Sequence, residues 1–431
     1  MRDIPAQVSD LLRLNSMDPN WVDLKTIINL FASQMRIGLY GGQSSVPVLP
    51  SYRSPVGTIS KGQPVAVIAA DETEIRAALV TLTESGVVIE ERASFPAPGT
   101  DYPAPWEDYI YAAAELVEPV LSRTDLLCFC LPFPMEISQS HGDGTILRLP
   151  GNMRLTGWEN KNICGSLTAE FSRRGISGKK IILLNGTAAI QMCGLVTHPG
   201  QSRYLGLTWG TGIDTSFSAP GSILLRVRGA GTGLMLYDTG AGGFTGVPFG
   251  AVDLIMDRDC PDPGQNLFTK MVSVSYLGNI YRLTMIKAVE MGLMTFGGGR
   301  DFLSLANLDA SCVYDFLCAP QGDNLIAAFC KEPADREIAL TVAKAVFDRA
   351  ARLVCGSLSS VLLYTGAGRD VQKPACVMVS GTAFDNPLLS SLLTQYLEEF
   401  TAKVMGLHCT LYPEADAALI GGAAAALLNQ D

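Results

Sequence analysis

Two stretches of this chain share one pattern, and that repetition restricts the fold more than any other feature. Residues 64–82 read "PVAVIAADETEIRAALVTL", two β-rich apolar runs around an acidic turn. Residues 203–218 read "RYLGLTWGTGIDTSFS", two more such runs around Gly-Thr-Gly. Short apolar runs on either side of a turn predict a strand–turn–strand unit. Helix and strand signals follow each unit. After the first come helices at "WEDYIYAAAELVEPVLS" (106–122) and "NICGSLTAEFSRRG" (162–175), a strand at "LLCFCLPFPM" (126–135), and a strand at "IILL" (181–184) that ends in Asn185-Gly186-Thr187 before a segment that can start a helix. After the second come one long helix, "QNLFTKMVSVSYLGNIYRLTMIKAVEMGL" (265–293), and a helix-rich stretch at 336–366. A strand at "ACVMVSGTAF" (375–384) and a small-residue helix at "PEADAALIGGAAAALLNQ" (413–430) complete it. Two similar openings in one chain predict internal duplication, with two α/β lobes and a cleft between them.

The 431 residues suffice for two such lobes. Their expected boundaries are an N-terminal helical segment (1–57) packed on the larger lobe, a smaller lobe (58–190) joined by the C-terminal helix (418–431), and the larger lobe (191–417). In the first segment, "WVDLKTIINLFASQMRIGL" places Leu24, Ile27, Ile28 and Phe31 on one helix face, and the Pro/Ser-rich "SSVPVLPSYRSPVG" then breaks regular structure.

Composition excludes several function classes. A net charge of −10 disfavours a duplex nucleic-acid partner, which requires a basic face. The apolar runs are short and interrupted, so no membrane span is expected, and "MRDIPAQVSDLLRL" lacks the apolar core of a secretory signal. The eleven cysteines show no C-x-x-C pairing and most have apolar neighbours, the pattern of buried reduced thiols in a cytoplasmic protein. Cys128 and Cys130 point to one face of a strand. The three histidines, His141, His198 and His408, stand apart from carboxylates, so no zinc or iron site is expected.

In order and spacing, "VLPSY" (48–52), "LPFP" (131–134), "WGTG" (209–212), "DTGAGGF" (238–244) and "VSGTAFDNP" (379–387) resemble the eukaryotic-type hexokinase family of the actin-like ATPase superfamily. The firmest stretch is "PDPGQNLFTKMVSVSYLGNIYRL" (261–283), similar to the family's N-P-G-x-Q-x-F-E-K-M-x-S-x-x-Y-L-G-E-x-x-R. The resemblance implies an α/β, two-lobed actin-like ATPase (ribonuclease H-like) fold of hexokinase type with a central cleft. It also implies phosphoryl transfer from Mg-ATP to a hexose held in that cleft.

The residues that would carry this chemistry are largely replaced. The resemblance places the catalytic Asp, which takes the proton from the attacking sugar hydroxyl, at Gly186, beside a retained Asn185. The sugar-contacting Ser falls on Pro132, the Thr-Lys pair on Pro150-Gly151, the Asn after the second phosphate turn on Asp214, and the two glutamates on Gly240 and Thr269. A general base needs a basic atom within reach of the hydroxyl, and glycine has none. Asp214 is the substitute candidate, since it is expected to face the cleft.

On the nucleotide side, Gly210-Thr211-Gly212 and Gly381-Thr382 are intact, and Thr73 and Gly421 keep their family positions. The adenosine-side lysine is missing, and the first phosphate turn carries Asp71, Glu72 and Glu74. A like-charge contact near 4 Å costs on the order of 4 kcal/mol at an effective dielectric of about 20. For these groups the plainer readings are an exposed acidic turn at 71–74, surface or capping roles for Asp253 and Asp257, a structural turn at Gly240, Gly242 and Gly243, and core packing for the helix from Phe268 to Leu283.

The expected protein is therefore a non-catalytic, ligand-binding or regulatory hexokinase homologue, with a sugar or nucleotide as ligand and no resident metal. The competing expectation is a sugar kinase with a rearranged site that uses Mg-ATP; a third is a scaffold for a protein partner. In a coupled assay, no transfer of phosphate from ATP to glucose, fructose or mannose is expected. A missing general base alone lowers the rate by about 10²–10⁴-fold, and lost sugar contacts remove positioning as well. Glucose 6-phosphate formed at hexokinase-like turnover would overturn this expectation.

Overall fold

The computed structural model describes residues 4–139, 142–151, 153–227 and 229–428. His141, residues 1–3 of the N-terminal segment and residues 429–431 of the expected C-terminal helix lie outside the described residues.

The chain opens with α1 (Ile4–Leu14) and α2 (Leu24–Tyr40). The side chain of Asp23 caps α2 by accepting from Lys25 N, and the helix buries Leu24, Ile27, Ile28 and Phe31 as their spacing predicts. The first half continues with β1 (Leu49–Pro50), β2 (Pro64–Ala70), β3 (Glu74–Thr83), β4 (Gly86–Pro96) and β5 (Ala104–Pro105). Then come α3 (Trp106–Val117), β6 (Leu126–Leu131), β7 (Met135–Ile137), β8 (Gly144–Ile146), β9 (Leu155–Thr156), α4 (Ile163–Arg173), β10 (Lys180–Asn185) and α5 (Gly186–Thr197). The second half has β11 (Tyr204–Trp209), β12 (Ile213–Pro220), β13 (Leu234–Asp238), α6 (Ala251–Arg258), α7 (Leu267–Val272), α8 (Val274–Glu290), α9 (Phe296–Ser304), α10 (Ala310–Cys318) and α11 (Leu325–Phe329). It closes with α12 (Pro333–Thr365), β14 (Ala375–Ser380), α13 (Pro387–Tyr396), β15 (Cys409–Pro413) and α14 (Ala417–Leu427).

These strands build two mixed sheets of five and six strands, ordered β10-β6-β2-β3-β4 and β1-β13-β12-β11-β14-β15. Each expected strand–turn–strand unit is an antiparallel pair, β2/β3 and β11/β12, and each gains a third antiparallel strand. Parallel strands extend both sheets on the other side, β6 and β10 in one and β14 and β15 in the other.

Helices α5 and α14 lie between the sheets. Their core joins Val65 and Val67 of one sheet to Leu236 and Met378 of the other. The packing is close enough to require glycine. A Cβ on Gly206 of β11 would stand 2.4 Å from Thr187 O, and one on Gly421 of α14 would stand 1.7 Å from Ala189 O. Residues of α1, α2, α8 and α12 share the largest core with the six-stranded sheet. Cys128 and Cys130 do share a face, with their sulfurs 3.6 Å apart, and all eleven cysteines are unpaired. Among the described residues no helix is long and apolar enough to cross a membrane.

Two expectations need correction. The single helix over 265–293 is two helices broken at Ser273, whose backbone is extended (φ −73°, ψ 139°). Ser273 Oγ donates to Thr211 O at 2.6 Å and Val274 N donates to Gly210 O at 2.9 Å, so the break serves the Gly-Thr-Gly turn. No glycine or proline marks it in the sequence. For Asp253 and Asp257 the surface alternative is corrected, while the capping one holds for Asp253, which closes a capping box with Gly250. Asp253 forms a paired contact with the buried Arg349 guanidinium (3.0 and 2.6 Å) and accepts from Gly250 N at the start of α6. Asp257 accepts from the buried Lys270 at 2.7 Å.

Breaking the Arg349–Asp253 pair from one side leaves an uncompensated buried charge, which costs about 3–5 kcal/mol. Asp253→Ala is expected to lower the thermal midpoint sharply, and Asp253→Ala with Arg349→Met to recover a large part of the loss. Calorimetric unfolding of the single and double variants checks this.

Candidate functional site

Parallel strand ends build the site, as expected for open α/β sheets. The register that pairs Asn185 with Leu131 sets Pro132 beside Gly186 at the ends of β6 and β10. The pairing of Thr208 with Ser380 does the same for Gly210–Gly212 and Gly381-Thr382. Across the gap between the sheets, Thr187 Oγ1 and Thr208 Oγ1 are hydrogen-bonded at 2.9 Å.

A cavity of about 140 Å³ opens at this junction. Its sugar half contains Pro132, Pro150, Gly186, Asp214, Gly240 and Thr269. Its nucleotide half contains Thr73, Gly210, Thr211, Gly212, Gly381 and Thr382. Three expected positions are not in its wall. Asn185 is the N-cap of α5, with Oδ1 accepting from Thr187 N (2.8 Å) and Nδ2 donating to Phe133 O (3.2 Å). Gly421 is consumed by the α5–α14 crossing. At Gly151 a Cβ would stand 2.3 Å from Asp262 Oδ1, so Asp262 fills the space of any side chain there. Asp262 in turn is held by Lys270 at 2.9 Å and by Asn266 Nδ2 at 2.9 Å.

The wall at Gly186 is open: the nearest atom to a Cβ there is Leu131 O, 3.5 Å away. Asp214 lies in the cavity but is heavily engaged. Its Oδ1 accepts from Thr239 Oγ1 (2.6 Å), Thr215 N (2.8 Å), Gly240 N (2.9 Å) and Ala241 N (3.2 Å). Burial pushes its pKa up, while these bonds and the nearby Arg148 pull it down. Behind it, Asp238 is 3 % exposed, and burial together with Asp214 raises its pKa well above the usual carboxylate range.

Sequence reasoning missed Arg148. No motif marks it; it is one charged residue in the run "TILRLPG". Its Nη2 donates to Gly240 O at 3.0 Å, and its Nη1 lies 2.8 Å from where a Cβ on Gly243 would stand. Gly240 itself has a left-handed φ of 67°.

Comparison with known proteins decides the family. Residues 204–428 match the family model described as "Hexokinase". The chain belongs to the hexokinase family. It is 23% identical over 315 residues to hexokinase-1 of Saccharomyces cerevisiae, covering 68% of this chain but only 64% of that protein. It is 21% identical over 395 residues to hexokinase-1 of Oryza sativa subsp. japonica, covering 84% and 79%. Among solved structures, the hexokinase from Schistosoma mansoni complexed with glucose superposes with a TM-score of 0.80 at 19% identity, covering 98% of this chain and 100% of that one. A second hexokinase crystal structure gives 0.73 at 18% identity, covering 97% and 98%. At these identities the structural likeness is one of fold: the two-domain actin-like ATPase architecture of hexokinases.

The hexokinase family generally uses Mg-ATP, and the nucleotide half of this cleft does not fit it. The acidic turn is not a solvated loop. Asp71 Oδ1 accepts from Thr73 N (2.7 Å), Thr73 Oγ1 (2.7 Å) and Glu74 N (2.9 Å), so both the Asp71 carboxylate and the Thr73 hydroxyl close the turn itself. Glu74 is paired with Arg76 at 3.4 Å. Glu72 is only 7 % exposed and crosses to the opposite turn, its Oε1 standing 2.5 Å from where a Cβ on Gly212 would be. A carboxylate thus lies against the turn whose backbone would cradle phosphate.

Charge alone then orders the ligands: adenosine and AMP are expected to bind better than ADP, and ADP better than ATP. Glu72→Gln is expected to raise ADP and ATP affinity roughly tenfold or more, since like-charge juxtaposition costs several kcal/mol. Salt narrows the gap by screening. Calorimetric titration of the nucleotide series with magnesium at two ionic strengths checks it; affinity rising from adenosine to ATP in the unaltered protein contradicts it.

Proposed function

We propose that this protein is a non-catalytic hexokinase homologue whose cleft binds a small ligand in a regulatory, cytoplasmic role. One observation carries the reading: the strand end that would present the general base is Gly186, and it opens onto the cavity with no basic atom. The other positions support it. Pro132, Pro150 and Gly240 have no side-chain donor for a sugar hydroxyl, and selectivity for a hexose rests on such groups. The glucose in the schistosome hexokinase structure belongs to that protein; here the neutral sugar contacts are too few to transfer it.

The alternative, a sugar kinase with a rearranged site, has one observation in its favour. Asp214 lines the cavity and its pKa is raised, as catalytic bases often are. Its four hydrogen bonds favour the anchoring role.

Gly186→Asp tests the reading cleanly, because a Cβ there meets nothing closer than Leu131 O at 3.5 Å. The variant is expected to keep the unaltered protein's thermal midpoint and still show no phosphate transfer to glucose, fructose or mannose in the coupled assay. A working kinase produced by this one change would overturn the argument from accumulated losses.

A further inference from the structure

We infer that the sugar half of the cleft takes a small polyhydroxylated carboxylate, a sugar acid of the uronate or aldonate class, held by Arg148. The inference rests on reading the cleft as a ligand site and names the chemistry of that ligand.

Arg148 follows β8 and reaches over the cavity to the loop after β13. A guanidinium offers five N–H donors in a planar fork. Among the described residues it makes a single hydrogen bond, Nη2 to Gly240 O, and Nε has no partner. Among the described residues no carboxylate lies within ion-pair distance of it. Asp214 and Asp262 are its nearest acidic influences, holding up a pKa that burial pulls down. Neither neutralises it. Asp262 is committed to Lys270 and Asn266, and Asp214 gives one oxygen to four donors.

Apart from Asp214, the rest of this half of the cavity brings no charge, since Pro132, Pro150, Gly186 and Gly240 face it as glycine or proline. A half-buried arginine without an ion-pair partner selects a planar acceptor that takes two parallel hydrogen bonds, and a carboxylate is that acceptor. The polyol part follows from the remaining wall. Asp214 Oδ2, which takes none of the four bonds, accepts a ligand hydroxyl, and Thr269 presents a hydroxyl of its own. The carboxylates of the nucleotide half line the same cavity but are engaged elsewhere, since Asp71 closes its own turn and Glu72 lies against Gly212.

The test is calorimetric titration of the full chain with sodium glucuronate and sodium gluconate, with glucose, inorganic phosphate and sodium acetate as comparators, at two ionic strengths. The sugar acids are expected to bind at least tenfold tighter than glucose or acetate, and more weakly at high salt. Arg148→Gln is expected to lose at least tenfold in sugar-acid affinity, with partial recovery in Arg148→Lys. Gly243→Ala, whose Cβ would come within 2.8 Å of Nη1, is expected to weaken the same binding while leaving the charge in place. The thermal midpoint of each variant separates lost contact from lost fold. Glucose binding as tightly as glucuronate, or Arg148→Gln binding glucuronate unchanged, overturns the inference and leaves the non-catalytic reading standing. Phosphate binding in preference to both sugar acids overturns the carboxylate. If none of these probes binds, the inference fails, and the ligand-binding reading fails with it only if adenosine and AMP give no heat either.

Discussion

The structure depends on how tightly helix α5 is gripped from two sides. β11 approaches its first turn through Gly206, and α14 crosses it through Gly421, at distances that leave no room for a Cβ. Ser216 Oγ donates to Thr187 O at 2.8 Å, and Asn185 caps the helix start. Backbone groups packed this closely leave little freedom for rotation or sliding. Residue 186, the first of α5, is thereby fixed at the cleft whatever its side chain is. The scaffold around residue 186 is complete without any side chain there, so this fold does not depend on what that position carries.

The same separation explains what was legible in the sequence. Local patterns revealed the β2/β3 and β11/β12 pairs, the capped face of α2 and the turns at Gly210–Gly212 and Gly381. β4 escaped notice because it is a largely exposed strand carrying Glu90, Glu91 and Arg92, where no apolar alternation survives. The break at Ser273 escaped because its cause lies 62 residues away, at Thr211 O. Arg148, the crossing of Glu72 to Gly212, and the burial of Asp253 against Arg349 are all long-range partnerships. Periodicity carries no information about such pairs, because a charged side chain in a linear pattern looks solvated until its partner is placed beside it.

Within the cleft, the chain supplies its own bridges. Arg148 donates to Gly240 O, Asn266 Nδ2 donates to Leu149 O at 3.1 Å, and Glu72 lies against Gly212. Each joins a segment of the first half to one of the second. A net hydrogen bond contributes only about 0.5–1.5 kcal/mol, so no single bridge holds the cleft. Together they set what a ligand has to replace. A neutral polyol exchanges such bonds roughly evenly, whereas a group that adds charge complementarity gains where the bridges are incomplete. Arg148 is the incomplete one.

At Asp214 burial and hydrogen bonding act against each other. A useful base offers a free lone pair and a pKa near the working pH. Burial moves Asp214 in that direction, but the four donors on Oδ1 stabilise its ionised form and tie it to the loop at 239–241. That loop also presents Gly240 O to Arg148. Moving Asp214 toward a substrate proton would release Thr239, Gly240 and Ala241 together, and with them the hydrogen bond from Arg148 to Gly240 O. Asp238 behind it, whose pKa burial raises, has an Oδ1 with no partner among the described residues. The acid in the cavity is thus spent on shaping the wall, and the cation beside it is the group left to recognise something.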